Sequence, residues 1–193
     1  MKYYFSILLA AIVISIQGQS TRFAEFNPEG YRNFINISGE TNVHHFNLYQ
    51  IFEQEKFVNF QAQANEYWKE ELVIRVPVKK FHTPNKIFYN DFIELMQGNK
   101  HPYILISIPE KELQNLKDAN GKINPEIHIK LAGTEKTYRI SCRIDQYSND
   151  ILFLRGQQKI KLTDFKIEPP VKSFGLIKVN NSVFINFGII IPN

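Results

Sequence analysis

The apolar alternation near the end of the chain decides the fold class. From Val183 to Ile191 the sequence reads Val-Phe-Ile-Asn-Phe-Gly-Ile-Ile-Ile, so that every second residue, beginning with Val183, is large and apolar. Successive side chains of a β-strand point to opposite faces of a sheet, so a period of two predicts a strand with a buried face. The stretch has only about half of the ~20 residues that a membrane-spanning helix needs, which also favours a strand.

The same period of two recurs upstream and predicts a mainly β protein. It is found in five further runs: Val58–Ala64, Leu72–Val78, Ile104–Ile108, Ile127–Leu131 and Tyr138–Ile144. Turn-forming residues separate the runs, at Asn120-Gly121, Ala132-Gly133, Ser148–Asp150, Pro169-Pro170 and Asn180-Asn181. Many strands joined by short turns are typical of a sandwich or an antiparallel barrel. No linker or repeat divides the chain, so residues 20–193 are predicted to form one domain.

One segment departs from this pattern and predicts a single amphipathic helix. Between Pro84 and Lys100 four apolar residues share a helical face, namely Phe88, Phe92, Leu95 and Met96. Thr83 is expected to cap the helix, with Pro84 at the first helical position and Gly98 near the end. We expect this helix to cover one end of the sheet as an apolar lid. A second short helical turn is expected from Lys111 to Lys117.

The N-terminus has the three parts of a secretory signal peptide. Lys2 carries a positive charge, an uncharged run extends from Phe5 to Ile16, and small or polar residues follow up to Ser20. The run is too short for a permanent anchor, so residues 1–19 are predicted to be a cleaved signal peptide. No later run is long and uncharged enough for an integral membrane anchor, and Cys142 is the only cysteine, which argues against a lipid anchor. We therefore expect a periplasmic or secreted protein without a disulfide framework.

Composition and motifs argue against several functional classes. The formal net charge of +4 is scattered, whereas nucleic-acid binding would require a basic stripe. The sequence contains no phosphate-binding glycine loop, no Gly-x-Ser-x-Gly turn and no local histidine motif for a metal. Cys142 lies on the apolar face of its predicted strand and is expected to be an unreactive core residue. We predict that the protein is not an enzyme and has no cofactor; a metal or catalytic site at His82 and His101 is the remaining alternative.

Three parts of the chain resemble the YceI-like family. They are Ile37-Ser-Gly-Glu-Thr-Asn-Val-His-His-Phe46, then Asn85-Lys-Ile-Phe-Tyr-Asn-Asp-Phe-Ile-Glu-Leu-Met96 with Lys100-His-Pro-Tyr-Ile104, and Lys161-Leu-Thr-Asp-Phe-Lys-Ile167 with Pro169-Pro170 and Gly175-Leu-Ile-Lys-Val179. The first includes the family's Gly-x-Thr-Asn-Val-like turn, and the second its helix with an Asp-Phe pair. The resemblance extends from about Ile35 to the C-terminus, and the Bacteroidetes-type members are the most similar.

The resemblance implies a lipocalin-like antiparallel β-barrel that binds a long apolar ligand, typically a polyisoprenoid or a related lipid, and has no enzymatic activity. A barrel of about eight strands can be filled by its own side chains or can hold one small ligand. Two functions therefore stay open: an exported lipid carrier, or a structural or interaction β-domain of the cell envelope with a filled core. For the carrier the predicted ligand-binding wall is Phe60, Ile74, Val76, Phe88, Phe92, Met96, Ile106, Ile129, Ile140 and Phe153.

Overall fold

The structure is a computed structural model that describes residues 32–53, 58–59, 71–117, 121–148, 151–172 and 176–192. The predicted signal peptide, most of the predicted Val58–Ala64 strand and Phe60 lie outside the described residues. The elements are β1 (Phe34–Thr41), β2 (His45–Ile51), β3 (Val58–Asn59), β4 (Glu71–Pro77), α1 (Lys86–Leu95), β5 (Tyr103–Pro109), α2 (Glu110–Lys117), β6 (Gly121–Ile123), β7 (Glu126–Leu131), β8 (Thr134–Arg139), β9 (Cys142–Ser148), β10 (Ile151–Lys161), β11 (Val171–Lys172) and β12 (Ile177–Pro192). Short 3₁₀ turns follow β4 at Val78–Lys80 and β10 at Leu162–Phe165.

The strands form two antiparallel sheets, which confirms the predicted mainly β fold. The first sheet has the order β2-β1-β12-β10-β9-β6, with β11 paired to β12, and the second has the order β3-β4-β5-β7-β8. The long strand β12 lies between β1 and β10 and pairs with both. Its alternating apolar face therefore forms the middle of the first sheet's inner surface.

The two sheets meet at both edges, although their hydrogen bonds do not form one continuous barrel. At one edge the chain crosses from β6 to β7 and from β8 to β9, and the Ile140 N–H donates to the Pro125 carbonyl at 3.1 Å. At the other edge Tyr49 on β2 and His82 exchange two backbone hydrogen bonds of 3.0 and 2.8 Å. The described strands thus form a barrel-like arrangement whose ladder is interrupted at its corners.

The predicted inward faces are buried. The following residues of the predicted apolar faces are at most 8% exposed: Leu72, Ile74, Val76, Val78, Ile104, Ile106, Ile108, Ile127, Ile129, Leu131, Ile140, Cys142, Ile144, Val183, Ile185, Phe187, Ile189 and Ile191. The prediction of a single strand from Tyr138 to Ile144 is wrong, because β8 ends at Arg139 and β9 begins at Cys142. The chain changes sheets at this corner, and a change of sheet leaves the alternation of side chains intact.

The predicted turn at Ala132-Gly133 joins β7 to β8. Both residues have a positive φ, 45° at Ala132 and 83° at Gly133, as a tight hairpin turn requires. A Cβ atom at Gly133 would lie 2.8 Å from the His101 imidazole. Glycine is therefore needed here for both the backbone conformation and the close approach of His101.

The predicted amphipathic helix exists as α1, but it begins later than expected. Asn85, and not Thr83, is the cap: its side-chain oxygen accepts hydrogen bonds from the N–H groups of Ile87 at 2.9 Å and Phe88 at 3.4 Å. The prediction at Thr83 is wrong because Asn85 offers an equally good capping side chain closer to the helical residues. The second expected helical turn is the eight-residue helix α2. Neither helix of the described residues has the length and apolar character needed to cross a bilayer.

Candidate ligand-binding pocket

An apolar pocket lies between α1 and the inner face of the first sheet. Its cavity volume is about 90 Å³. The lining comes mainly from β1, β2, β10, β12 and α1, with one residue, Leu131, from β7 of the second sheet and the rest from nearby turns: Ile37, Thr41, Phe46, Leu48, Phe88, Asp91, Phe92, Leu95, Met96, Leu131, Ile160, Leu162, Pro170, Ile177, Val179, Val183 and Ile185. Thr41 and Asp91 are the only polar residues among them, so the pocket suits an apolar molecule.

Helix α1 covers the pocket through a small number of aromatic contacts. Phe92 is the only buried residue within the helix, and its ring meets Phe81 edge-on at a centroid distance of 5.0 Å. Phe88 lies 5.9 Å from the ring of Phe46. On another side of the helix the Tyr89 hydroxyl donates to the Lys79 carbonyl at 2.9 Å. The helix is therefore held mainly by side chains that themselves border the pocket.

Four exposed apolar side chains are close in sequence to residues that line the pocket. Val43, Ile87, Val171 and Leu176 are 54 to 72% exposed, and each lies within two residues of a pocket-lining residue. Asn42 ties two of these segments together, because its side chain donates to the Leu176 carbonyl and accepts from the Lys178 N–H, both at 2.8 Å.

The structure distributes the predicted wall residues over three places. Phe88, Phe92 and Met96 line the pocket. Five others, Ile74, Val76, Ile106, Ile129 and Ile140, belong to the buried core and do not line it. Phe153 is buried on the other face of β10, where the Arg155 guanidinium lies 5.6 Å from its ring centroid. The assignment of these six residues to a ligand-binding wall stays a prediction, because only a bound ligand would show which side chains it contacts.

Sequence analysis missed the first sheet's contribution to the pocket. Ile37, Leu48, Ile160, Val183 and Ile185 form the wall opposite α1. The alternation of β12 had identified Val183 and Ile185 as inward-facing residues. The sequence does not show where α1 packs, and the position of this helix determines which buried residues border the cavity.

A second row of residues crosses the first sheet next to the pocket, and we call it the inner row. It consists of Gln50, Ile35, Phe187, Gly156 and Cys142, which are successive register partners on β2, β1, β12, β10 and β9. All five are buried. Leu48, Ile37 and Ile185 form the neighbouring row, which lines the pocket.

Gln50 is the one inner-row residue with a strongly polar side chain. It is 1% exposed, and within the described ranges neither its amide nitrogen nor its amide oxygen has a hydrogen-bond partner. Buried polar groups in native proteins are nearly always paired. Among the described residues the other buried side-chain atom without a partner is Oδ1 of Asn36, which lies on the opposite face of β1, so the Gln50 amide is the unpaired group on the inner face.

Burial raises the pKa of the Cys142 thiol to about 12. In the unfolded chain the thiol ionises near its ordinary pKa of about 8.5, so folding opposes ionisation and stability falls as pH rises above that value. We expect the stability advantage of the wild type over Cys142→Ala to shrink by about 1.4 kcal/mol per pH unit above pH ~9. Urea denaturation of both proteins at several alkaline pH values measures the difference between their free energies of unfolding. The pH effects of other titrating groups are the same in both proteins and cancel in this difference. A pH-independent difference would contradict a thiol that stays neutral in the folded state.

The alternative prediction of a metal site at His82 and His101 would require further ligands close to these two histidines. His82 pairs through its backbone with Tyr49, and the His101 ring packs against Gly133. Within the part of the chain that the structure describes, no three His, Cys, Asp or Glu residues are grouped so that they could hold a metal ion.

Comparison with known proteins identifies similar folds at low sequence identity. No family model and no curated protein matches the sequence. A polyisoprenoid-binding domain from Saccharophagus degradans, implicated in plant cell wall breakdown, aligns with 82% of this chain and 92% of its own at a TM-score of 0.58 and 12% identity. BcnA of Burkholderia cenocepacia aligns with 82% of this chain and 95% of its own, at a TM-score of 0.54 and 14% identity.

A YceI protein from Campylobacter jejuni aligns with 64% of this chain and 72% of its own, at a TM-score of 0.48 and 14% identity. The two higher-scoring structures each cover most of both chains, so the similarity concerns the whole arrangement of strands. The chain therefore has the fold of the Saccharophagus degradans domain and of BcnA, in agreement with the fold that its resemblance to the YceI-like family implies.

Proposed function

We propose that the protein is an exported, non-enzymatic carrier that binds a long apolar ligand, a polyisoprenoid or a related lipid, beneath α1. The observation that carries this proposal is the apolar pocket between α1 and the first sheet. Protein interiors are closely packed, and voids larger than a water molecule are few. A void of about 90 Å³ with an almost entirely apolar lining is therefore a better match to a binding site than to a packing defect.

The pocket can bind such a ligand through the hydrophobic effect alone. Removing apolar surface from water contributes about 25 cal/mol per Å². The cost of ordering a flexible chain offsets part of this gain. With Thr41 and Asp91 as the only polar lining residues, the walls would discriminate ligands mainly by length and thickness. The predicted signal peptide supports the exported part of the proposal.

A long ligand needs more room than the pocket offers as it stands. Sites for small molecules usually measure about 300–1,000 Å³, whereas this cavity measures about 90 Å³. We infer that α1 moves outward on binding, because Phe88, Phe92 and Met96 occupy the space next to the cavity. Hydrogen-bonded ladders hold β1, β10 and β12, whereas α1 packs on the sheet through side chains such as Phe92 against Phe81, so we expect the helix to be the part of the wall that yields.

The small size of the cavity also favours the second candidate function. The inward-facing residues of both sheets form one buried cluster that fills most of the interior. A structural or interaction protein of the cell envelope with a filled core would have such an interior. The two candidates differ in what the purified protein contains.

Native mass spectrometry of protein purified after expression of the full chain separates the two candidates. We expect a discrete added mass that solvent extraction and lipid analysis assign to an isoprenoid or another lipid. The intact mass also tests removal of residues 1–19. A ligand-free mass that incubation with isoprenoid lipids leaves unchanged would favour the filled-core protein instead.

A matched pair of α1 variants tests the location of the pocket. Leu95 and Ile93 are both half-buried on α1, but only Leu95 lines the pocket. We expect Leu95→Trp to weaken apolar-ligand binding about tenfold or more, which corresponds to ~1.4 kcal/mol, because the indole would fill the cavity. Ile93→Trp should leave binding near the wild-type value. Titration with a fluorescent fatty-chain probe measures both, and equal effects of the two substitutions would place the ligand elsewhere.

A further inference from the structure

The unpaired amide of Gln50 lies one row beyond the pocket, on the inner face of the sheet. Its register partner is Ile35, whose own partner on β12 is Phe187, and both belong to the buried core. Leu48, two residues before Gln50 on the same face of β2, lines the pocket. Two residues of a strand span roughly 6.8 Å. A ligand that extended from the pocket by this distance would reach the amide.

The edge of the sheet next to Gln50 is one of the two corners of the fold. Tyr49 pairs there with His82, so the residue before His82 faces the interior together with Leu48 and Gln50. That residue is Phe81, which is 2% exposed and packs against Phe92 of α1. Outward movement of α1 would therefore loosen Phe81, the residue opposite Gln50 at this corner.

Neither a purely structural role nor a trapped water accounts for this glutamine. A buried amide that loses its water without gaining a partner is unfavourable, and a leucine would fill the same position without that loss. A buried water needs two to four polar partners. The described neighbours of Gln50 on this face are Ile35 and Leu48 in the sheet and Phe81 at the corner, and none of these side chains offers a hydrogen bond to such a water.

We propose that Gln50 recognises the polar end of the bound ligand, and that this end is a neutral group that both donates and accepts hydrogen bonds, such as an alcohol or a carboxamide. This inference rests on the proposed carrier function and defines its ligand more narrowly. An amide presents one acceptor and two donors, so its complement carries both properties. A phosphate or carboxylate would bring a charge into a row with no opposite charge, and burial of an unpaired charge is strongly unfavourable.

Three probes with the same carbon skeleton test the proposal on the purified protein. They are farnesol, its saturated hydrocarbon farnesane, and farnesyl phosphate, and their affinities are compared for wild type, Gln50→Leu and Gln50→Met. We expect the wild type to prefer farnesol over farnesane by about threefold to tenfold, the range of one net hydrogen bond. Farnesyl phosphate should bind more weakly than farnesol. Both variants should lose the preference while they keep the affinity for farnesane.

The control is Gln157→Leu, which removes an exposed glutamine from the opposite face of β10 and should behave like the wild type. Because the substitutions at Gln50 remove an unpaired buried amide, we expect their melting temperatures to equal or exceed that of the wild type. If the wild type bound farnesane and farnesol equally, or if the variants retained the preference for farnesol, the proposed role of Gln50 would be overturned. The proposed carrier function would not be affected by either result. Failure of every probe to bind to the wild type would overturn the carrier function as well.

Discussion

Replacement of Phe187 by alanine is expected to lower the free energy of unfolding by about 3–5 kcal/mol, the usual cost of removing a buried aromatic ring. Phe187 is 2% exposed and lies in the middle of the inner row on β12, the strand between β1 and β10. Phe184→Ala is the matched control on the same strand, because Phe184 is half-buried on the other face and Lys159 lies 5.6 Å from its ring. Urea denaturation should show a clearly smaller loss for the control.

The same substitution connects stability to ligand binding. The space left by the Phe187 ring would lie in the row next to the pocket, with Ile35 between it and Gln50. A ligand that binds only the folded state raises its stability in proportion to the logarithm of ligand concentration over Kd. We therefore expect an isoprenoid alcohol to raise the melting temperature of Phe187→Ala more than that of the wild type. Equal shifts would mean that the pocket does not extend into the inner row, and equal unfolding losses at Phe184 and Phe187 would contradict the assigned faces.

Substitution of Gly156 by alanine is expected to destabilise the protein by about 1–3 kcal/mol, the typical cost of overpacking a core. A Cβ atom at this position would lie 2.5 Å from Cζ of Phe187 and 2.7 Å from Sγ of Cys142. Both neighbours are buried, so neither can swing into solvent. The absence of a side chain at Gly156 thus makes room for the ring on the adjacent strand.

A double-mutant cycle tests this explanation. In the Phe187→Leu background the ring that meets the added methyl group is absent, so Gly156→Ala should cost less than in the wild type. The free energies of unfolding of the four proteins, measured in urea, give the coupling between the two positions. Additive losses would show that alanine is harmful at Gly156 for a reason other than Phe187, such as the contact with Cys142.

Local chemistry accounts for the parts of the fold that were predicted correctly and for the small errors. The inward faces follow from the period of two, because burial of one face is decided within each strand. The turn at Ala132-Gly133 follows from residues that accept a positive φ. The predicted cap of α1, Thr83, lies two residues before the actual cap, Asn85. Both residue types cap helices well, and only the three-dimensional path of the chain selects one of them.

The candidate pocket was predictable only in part. The helical spacing identified Phe88, Phe92 and Met96 as one apolar face, and these residues do border the cavity. Ile74, Ile106 and Ile129 in the second sheet have the same alternation as Val183 and Ile185, yet they pack in the core and do not border it, whereas Leu131, on the same strand as Ile129, does. Alternation reports that a side chain is buried; it carries no information about how far away the opposite wall lies.

By itself, the sequence determined the mainly antiparallel β fold, its apolar inward faces and one amphipathic helix that covers them, because these properties depend on residues that are neighbours along the chain. The tertiary structure decided where a cavity is left, and it also placed Gln50 without a partner beside that cavity. Both outcomes depend on residues far apart in sequence, such as Leu48, Ile185 and Phe92, which only the packing of α1 on the first sheet brings together.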